Sequence, residues 1–288
     1  MADLSGKIAV VSGATGGIGK AVVTALARQG ATVAVIGRSA TRIEDARREV
    51  TTAVPRAVLE PLVCDLSSQG SIRSAVGTFF GRHERLDILV NAAGVFRKNR
   101  EVTVDGLEMT FATNVMSYFL LSELLLPALK RAAPARIVNI ASLYGGAKLD
   151  FDDLQTAKGK YSFMRSTPPT MLARVLLSKQ MAADLAGAGV VVNAVHPGLA
   201  KNTQLLKDVG GVFAVLTNLI GKPAEQAADT AVWLASDPST ATVTGKFWAK
   251  RKELPAAGMG SDPAEQQRLW DECVRLAGIT GGVPSSRA

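Results

Sequence analysis

The sequence predicts a single doubly wound α/β domain, with about seven parallel strands and helices on both faces of the sheet. Apolar, β-branched runs such as "KIAVVSG" and "RIVNIA" alternate with segments of helical periodicity along the whole chain. The runs are apolar at successive positions, as is typical of strands that are buried on both faces. No linker or low-complexity segment divides the chain, so residues 1–280 are predicted to form one domain and 281–288 a mobile tail.

The strand candidates recur in order along the chain. They are "KIAVVSG", "TVAVIG", "AVLEPLV", "LDILVN", "RIVNIA", "VVVNAV" and "GKFWA". The predicted helices are Ile18–Gln29, Thr41–Thr51, Gln69–Phe80, Leu107–Ala132, Thr167–Ala186, Ala224–Ala235 and Pro263–Leu276, and Leu205–Gly221 and Ala256–Asp262 are predicted loops or insertions. Helices between successive strands are the crossover connections that a parallel sheet requires.

The composition and charge pattern exclude several classes of protein. The net charge is +8, but the basic residues are spread over predicted helix faces, and their densest cluster, "GKFWAKRK", is too small to predict nucleic-acid binding. Cys64 and Cys273 lack the spacing of metal ligands, so no metal site is expected. The most apolar run, "FLLSELLLPALK", is interrupted by Glu123 and Pro127 and is too short to span a bilayer. We therefore expect a cytoplasmic protein with no membrane span.

A glycine-rich turn, "VVSGATGGIGK", follows the first strand. Gly13, Gly17 and Gly19 allow the chain to turn tightly and to approach a pyrophosphate. The helix that begins near Ile18 offers free N–H groups to that anion, and Thr15 lies within the turn. The sequence therefore predicts a Rossmann-type dinucleotide site, and the alternative is a tight turn without a ligand.

The spacing of these glycines resembles that of the short-chain dehydrogenase/reductase family, and further segments are similar to that family at the corresponding places. The segment from "VTGKFWAKRKE" to "LWDECVRLAG" is more similar to its retinol-dehydrogenase-like branch. The resemblance implies a nicotinamide cofactor. The cofactor-binding residues that it implies are Asp65 and Leu66 in "CDL", Asn91, Ala92 and Gly94 in "LDILVNAAG", and Pro197 and Gly198 in "HPG".

The end of the predicted second strand, "VIGRS", indicates which dinucleotide binds. An acidic residue there would bind the ribose 2′-hydroxyl of NAD and repel the 2′-phosphate of NADP. Gly37 stands in place of the acid, Arg38 follows, and Lys20 is expected nearby in the first helix. Because a guanidinium matches a phosphate oxygen pair, NADP(H) is predicted over NAD(H). The alternative is that Arg38 is a solvated loop charge.

The resemblance also implies a catalytic serine, an asparagine, and a tyrosine and lysine four residues apart on one helix. Ser142 in "RIVNIAS" and Asn114 in "TNV" match the serine and the asparagine. Two registers are open for the other pair. In the first, Tyr161 is the tyrosine and Arg165 replaces the lysine. In the second, which counts back from "AGVVVNAVHPG", Thr167 and Met171 stand at the two positions.

Two prolines favour the second register. In a helix that begins near Tyr161, Pro168 and Pro169 would each remove a hydrogen bond and clash with the preceding turn, at a cost of about 3 kcal/mol. Prolines are tolerated in the first turn of a helix, and Thr167 is a suitable N-cap. The helix is therefore predicted to begin at Thr167 or Pro168, with Tyr161 in the loop before it.

The second register removes the usual acid and cation. A threonine hydroxyl is far less acidic than a phenol, and a methionine carries no charge that could lower a neighbouring pKa or bind ribose. Ordinary turnover between an alcohol and a carbonyl is therefore expected to be impaired. Ser142 remains able to polarise a substrate carbonyl, with Asn114, Tyr161 and Thr167 as further candidate catalytic residues.

Three functional hypotheses follow. The first is an NADP(H)-binding enzyme of secondary metabolism that performs a non-standard, even non-redox, reaction such as cyclisation, elimination or isomerisation. The second is a carbonyl reductase that uses Tyr161 or another substitute acid. The third is a sensor or interaction protein with a vestigial cofactor site.

Two apolar segments bear on the substrate and on assembly. Val209–Gly221 is apolar with glycines at its ends, which predicts either a cover over a pocket for a hydrophobic small molecule or a plain core helix. The apolar stripes of Asn114–Leu129 and Met171–Leu185 predict either the interface of a homodimer or intramolecular core.

Overall fold

The sheet of the computed structural model has eight strands in the order β3–β2–β1–β4–β5–β6–β7–β8. The structure describes residues 2–142, 144–201, 221–254 and 262–279. The strands are β1 (Ile8–Val11), β2 (Thr32–Gly37), β3 (Val58–Val63), β4 (Ile88–Asn91), β5 (Ala135–Ile140), β6 (Val190–Val195), β7 (Phe247–Ala249) and β8 (Lys252–Glu253). Strands β1 to β7 are parallel, which confirms the predicted sheet. The sequence did not predict β8, a short antiparallel strand next to β7.

The helices lie on both faces of this sheet. They are α1 (Gly17–Arg28), α2 (Ala40–Ala53), α3 (Gln69–Phe80), α4 (Met109–Phe111), α5 (Ser117–Arg131), α6 (Phe163–Asp184), α7 (Ala224–Ser236) and α8 (Pro263–Ala277), with a π-helical turn at Ala112–Met116 and a 3₁₀ turn at Pro238–Thr240. One apolar layer joins the sheet to α1, α2 and α7, and the other joins it to α3, α5, α6 and α8. Along β1 the side chains alternate between the layers: Ala9 and Val11 enter the first, Val10 the second.

Helix α8 covers the apolar stripes of α5 and α6. The ring of Trp270 packs edge-on against Phe119 of α5, with 4.9 Å between ring centroids. Gln180 of α6 donates a 3.1 Å hydrogen bond from Nε2 to Oε1 of Gln267. These contacts place the stripes in the core of one chain, the second of the two predicted alternatives. A homodimer stays a prediction.

The segment Met109–Arg131 is long and apolar enough to cross a membrane by length and composition, although 83% of its apolar window is buried in the fold. It is longer than the run "FLLSELLLPALK", from which the sequence predicted no span. A buried core helix passes the same test, because it too is apolar on most sides. The finding therefore does not separate the two roles.

Helix α6 begins at Phe163, so the predicted start at Thr167 or Pro168 is wrong. Pro168 and Pro169 lie inside the helix and leave the carbonyls of the residues four earlier, Met164 and Arg165, without helical donors. Both residues are exposed. The helix therefore includes this extra turn although two of its backbone hydrogen bonds are missing.

The predicted tail at 281–288 and positions 209–220 of the predicted pocket cover lie outside the described residues.

Candidate active site and dinucleotide site

The glycine turn after β1 is packed so closely that larger side chains do not fit. Gly13 has φ +65°, and a Cβ there would lie 2.7 Å from the Cα of Ala93. A Cβ on Gly19 would collide with the carbonyl of Gly13, which brings the first turn of α1 against the loop. Gly17, with φ +50°, is the first residue of α1 and follows the extended N-cap Gly16. The first turn of α1, with free N–H groups that include that of Ile18, therefore follows the glycine turn directly. An anion that approaches the turn can accept hydrogen bonds from these groups.

Ser12 ties this turn to the loop after β4. Its fully buried Oγ accepts hydrogen bonds from the backbone N–H groups of Ala92 at 3.1 Å and Ala93 at 3.3 Å. The two loops lie side by side at the carboxyl ends of neighbouring strands, where open α/β sheets bind ligands. Sequence reasoning missed Ser12, since a serine beside a glycine turn gives no distinct signal. Gly94 follows in the same loop and is half-buried.

The side chain of Asn91 lies inside the fold. It is fully buried, and its Nδ2 donates to Oγ of Ser122 at 3.2 Å and to Oδ1 of Asn139 at 2.9 Å. Asn139 in turn donates to Oγ of Ser178 on α6 at 2.8 Å. Asn91 therefore joins β4 to β5 and α5, and its side chain does not line the cleft.

The end of β2 has no room for an acidic side chain. A Cβ on Gly37 would lie 2.6 Å from Cγ2 of Thr15 and 2.9 Å from Cγ1 of Ile43. Arg38 is exposed and forms no hydrogen bond or ion pair with the part of the chain that the structure describes. Lys20, expected nearby, is instead paired with Glu49 of α2. The guanidinium of Arg38 is thus free of partners among the described residues and available to a ligand at this corner.

The segment after β3 is fixed beside the same corner. The backbone N–H of Cys64 donates to the carbonyl of Gly37 at 2.9 Å. Oδ1 of Asp65 accepts bonds from the backbone N–H and the hydroxyl of Ser67, at 3.0 and 2.7 Å. Leu66 packs against the core. Asp65 is therefore held in one orientation at the edge of the predicted adenine region.

Asn114 clamps the loop after β4 to α6. It lies in the π-helical turn, a distortion that is frequent at functional sites. Its Oδ1 accepts from the N–H of Val95 at 2.9 Å, while its Nδ2 donates to the carbonyl of Val95 at 3.0 Å and to Oγ1 of Thr170 at 3.2 Å. The side chain is fully buried and fully engaged.

The two positions of the second register are closed off from solvent. Thr167 is fully buried, and its hydroxyl has no hydrogen-bond partner among the described residues. Met171, one turn later, is 2% exposed and packs with Phe96 in a small apolar cluster that Tyr144 and Phe163 complete. Ser142, two residues beyond the end of β5, is half-buried.

Tyr161 is held by a carboxylate. Its hydroxyl donates to Oε1 of Glu108 at 2.8 Å and lies 3.0 Å from Oγ1 of Thr110. Burial is the main reason why the pKa of Tyr161 is raised, and the Glu108 charge raises it further. Arg165, its partner in the first register, donates instead to the carbonyls of Lys158 and Lys160, both at 2.8 Å. No cation supports Tyr161 here among the described residues.

A buried arginine, which the sequence reasoning missed, lies beneath this site. Arg174 of α6 donates to the carbonyls of Ala93, Asn114 and Ile140, and its guanidinium carbon lies 4.0 Å from the centre of the Tyr118 ring. Burial lowers the pKa of Arg174. The signal was present: an arginine inside the apolar run "LARVLL" is out of place unless it is bonded.

The "HPG" segment follows β6. The backbone N–H of His196 donates to the carbonyl of Trp248 on β7 at 2.7 Å, and Gly198 has φ +78°. Burial lowers the pKa of His196, which favours the neutral ring. Pro197 and Gly198 are half-buried, at the same edge of the sheet as the other loops.

Within the described residues, no group of three or more His, Cys, Asp or Glu side chains lies close enough together to hold a metal ion.

Comparison with known proteins identifies the family. Residues 7–152 match the family model described as short chain dehydrogenase. Retinol dehydrogenase 13 of Homo sapiens is 36% identical, over 99% of this chain and 88% of that protein. Retinol dehydrogenase 12 of Mus musculus is 33% identical, over 96% of this chain and 88% of that protein.

Solved structures are similar over most of the fold. A short chain dehydrogenase from Burkholderia cenocepacia J2315 in complex with NADP gives a TM-score of 0.68 at 26% identity, over 85% of this chain and 96% of that chain. An uncharacterised protein from Mycobacterium Paratuberculosis gives 0.79 at 24% identity, over 97% and 96%, and this likeness concerns the fold alone. The expectation from the glycine motif is confirmed: the chain belongs to the short-chain dehydrogenase family and is similar to its retinol dehydrogenases.

Proposed function

We propose that this chain binds NADP(H) and acts on a hydrophobic small molecule in a reaction that does not use the family's tyrosine and lysine. The relatives named retinol dehydrogenases support a lipophilic alcohol or carbonyl compound as the substrate class. We extend the proposal to a biosynthetic intermediate of secondary metabolism and to a cytoplasmic location.

The residues at the carboxyl edge fit a dinucleotide. The closely packed Gly13 and Gly19, with the free N–H groups of α1, suit a pyrophosphate. The absence of space for an acid at Gly37 and the unpaired Arg38 suit the 2′-phosphate of NADP. When bound, this cofactor supplies or accepts a hydride.

The packing at Thr167 and Met171 is the observation that carries the proposal. In the register that the "HPG" segment supports, these residues stand where the family has its acid and its cation. Neither a threonine nor a methionine side chain titrates near neutral pH, and both are buried, with Met171 in an apolar cluster. Ser142 is the half-exposed hydroxyl that can donate a hydrogen bond to a substrate oxygen. Polarisation of a carbonyl by Ser142 would serve cyclisation, elimination or isomerisation as well as reduction.

The experiment measures cofactor binding and turnover separately. Fluorescence titration of the full chain with NADPH and with NADH is expected to show tighter binding of NADPH. A panel of hydrophobic aldehydes and ketones, retinal included, is then tested for NADPH oxidation and, by mass spectrometry, for products without redox change. Rapid reduction that is abolished in Tyr161→Phe would contradict the proposal, because it would restore the first register. Binding without any product would favour a sensor.

A reductase with a substitute acid is the second candidate. The observation that favours it is the position of Tyr144, two residues after Ser142 and beside Met171 in the apolar cluster.

A further inference from the structure

Arg174 is a cation sealed inside the fold. Its side chain is 3% exposed, and it donates from Nε to the carbonyl of Asn114 at 2.7 Å, from Nη1 to that of Ile140 at 2.9 Å and from Nη2 to that of Ala93 at 2.9 Å. No carboxylate of the described residues pairs with it. Three carbonyl dipoles and the face of the Tyr118 ring take the place of the water that would solvate the guanidinium of Arg174 at the surface. A protein with an apolar side chain of similar size in place of a buried charge is often equally stable. The charge of Arg174 therefore points to a role beyond packing.

The three carbonyls belong to segments that meet at the carboxyl edge of the sheet. Ala93 follows β4, Asn114 lies in the π-helical turn, and Ile140 is the last residue of β5, two positions before Ser142. The charge therefore lies directly beneath the candidate active site. On α6 it comes three residues after Met171, where the family's cation is missing.

Tyr144 is a phenol that packs against Met171, within one turn of Arg174 along α6, whereas the guanidinium itself lies over the ring of the buried Tyr118. Tyr144 is half-buried and also packs against Phe96, and its hydroxyl makes no hydrogen bond to a described residue. Tyr161, the other half-buried phenol, faces the Glu108 carboxylate instead.

We propose that Tyr144 is the proton donor of this site and that Arg174 is a positioning cation that acts on it, so that together they replace the missing tyrosine and lysine. The proposal rests on the proposed function, since it takes the substrate carbonyl to lie against Ser142. In reduction, the O–H bond of Tyr144 breaks and its proton passes to the substrate oxygen. That oxygen would take the electron pair of the C=O π bond, with bound NADPH as the hydride source for the carbon and NADP+ as its product, and the phenolate would regain a proton from water.

The pKa of Tyr144 sets the protonation state of this group at neutral pH. Burial raises the pKa, and the Arg174 charge opposes that rise. The phenol is therefore protonated at neutral pH, the state that a donor to a carbonyl requires. Alcohol oxidation, which needs a base, is expected to be favoured only at alkaline pH.

The first test needs no cofactor. The chain has three tyrosines, so the tyrosinate absorbance of the protein and of each single Tyr→Phe variant assigns every titration midpoint. Arg174→Met is expected to raise the midpoint of Tyr144 and to leave that of Tyr161 in place. An unchanged Tyr144 midpoint overturns the proposal. If Arg174→Met fails to fold, Arg174→Lys, which keeps the charge at the end of a different side chain, must still shift the Tyr144 midpoint.

The second test is turnover on the best carbonyl of the panel. Tyr144→Phe is expected to lower kcat about a hundredfold or more while KM changes little. Arg174→Lys is expected to retain more activity than Arg174→Met and to shift the pH profile of kcat. Loss of turnover in Tyr161→Phe but not in Tyr144→Phe overturns the proposal, as does the absence of any reduction by a protein that binds NADPH. Failure to bind NADPH would instead refute the proposed function and leave the titration as the measure of the Arg174–Tyr144 pair.

Discussion

Asn114 and Thr170 are joined by a 3.2 Å hydrogen bond from Nδ2 to Oγ1, and together with the bonds from Asn114 to Val95 this bond ties α6 to the loop after β4. Thr170 passes the connection on, because its own Oγ1 donates to the carbonyl of Thr167 at 2.8 Å. The asparagine of the candidate site is thereby tied to the turn of α6 on which Thr167 and Met171 lie. This pair is therefore one of the contacts, with those of Arg174 and Ser178, that orient α6 in the fold.

Thr170→Val tests the importance of that bond. Valine keeps the shape but removes the hydroxyl, so Nδ2 of Asn114 loses one acceptor inside the core. We expect the free energy of unfolding to fall by about 1–3 kcal/mol, measured by urea denaturation. Thr170→Ser retains the hydroxyl and is the matched control. Equal losses in the two variants would show that the methyl group, not the hydrogen bond, matters.

Arg38→Asp tests the assignment of the cofactor. The variant replaces a free guanidinium with a carboxylate at the corner where Gly37 leaves no room for an acid of its own. We expect NADPH affinity to fall by tenfold or more, about 1.4 kcal/mol, with NADH affinity unchanged or improved. Isothermal titration with both cofactors measures the change, and Arg42→Asp on the next helix serves as a control for net charge. If NADPH binding is the same in Arg38→Asp and the native chain, Arg38 is only a solvated charge.

Glu123 on α5 makes the stability depend on pH. Burial raises its pKa to about 7, Asp184 adds to the rise and Lys130 opposes it. The folded state therefore holds the proton to a higher pH than the unfolded state, whose carboxyl titrates near its ordinary value of 4.5. Below pH 4.5 the carboxyl of Glu123 is protonated in both states and does not change the free energy of unfolding. Between pH 4.5 and about 7 the free energy of unfolding falls as pH rises, and above about 7 the loss is complete.

Glu123→Gln removes this ionisation. We expect the variant to be more stable than the native chain by about 1–3 kcal/mol at about pH 8, and the advantage to disappear near pH 4. Thermal denaturation across this range measures the difference, with Glu84→Gln, at an exposed position, as the control. A constant difference at all pH values would mean that the carboxylate of Glu123 is solvated.

The fold could be predicted because its signals are local. Runs such as "RIVNIA" are short, largely apolar and β-branched, as is typical of buried strands, and the helices between them indicate that the strands are parallel. The glycine turn was predictable for the same reason, since Gly13 and Gly19 permit an approach that no other residue allows. Strand β8 was missed because "KE" carries no strand pattern; its turn places Lys250 and Arg251 at φ +50° and +56°, and Arg251 is held by Asp229 of α7.

The active site was less predictable because its decisive contacts join distant parts of the chain. The helix start that was predicted from Pro168 and Pro169 is wrong, because α6 accommodates both prolines without the two backbone hydrogen bonds that they remove. Arg174 and its three carbonyls, and Glu108 beside Tyr161, bring together residues from separate loops that no spacing rule connects. A buried charge in an apolar run could have been suspected, but its partners could not have been named.

Restoring the dyad tests the register itself. The double variant Thr167→Tyr with Met171→Lys places a phenol and an ammonium at the two positions and, if the register is correct, should create or raise NADPH-dependent reduction on the carbonyl panel. The ammonium must enter the cluster of Phe96, Tyr144 and Phe163, so stability is expected to fall by about 1–3 kcal/mol, which calorimetry checks. Met171→Leu, which preserves an apolar side chain of similar volume, is the control and should change neither stability nor turnover by much. A folded double variant that binds NADPH yet gains no activity would show that Thr167 and Met171 do not face the cofactor, because a correctly placed phenol and ammonium supply the proton transfer that the native chain lacks at these positions.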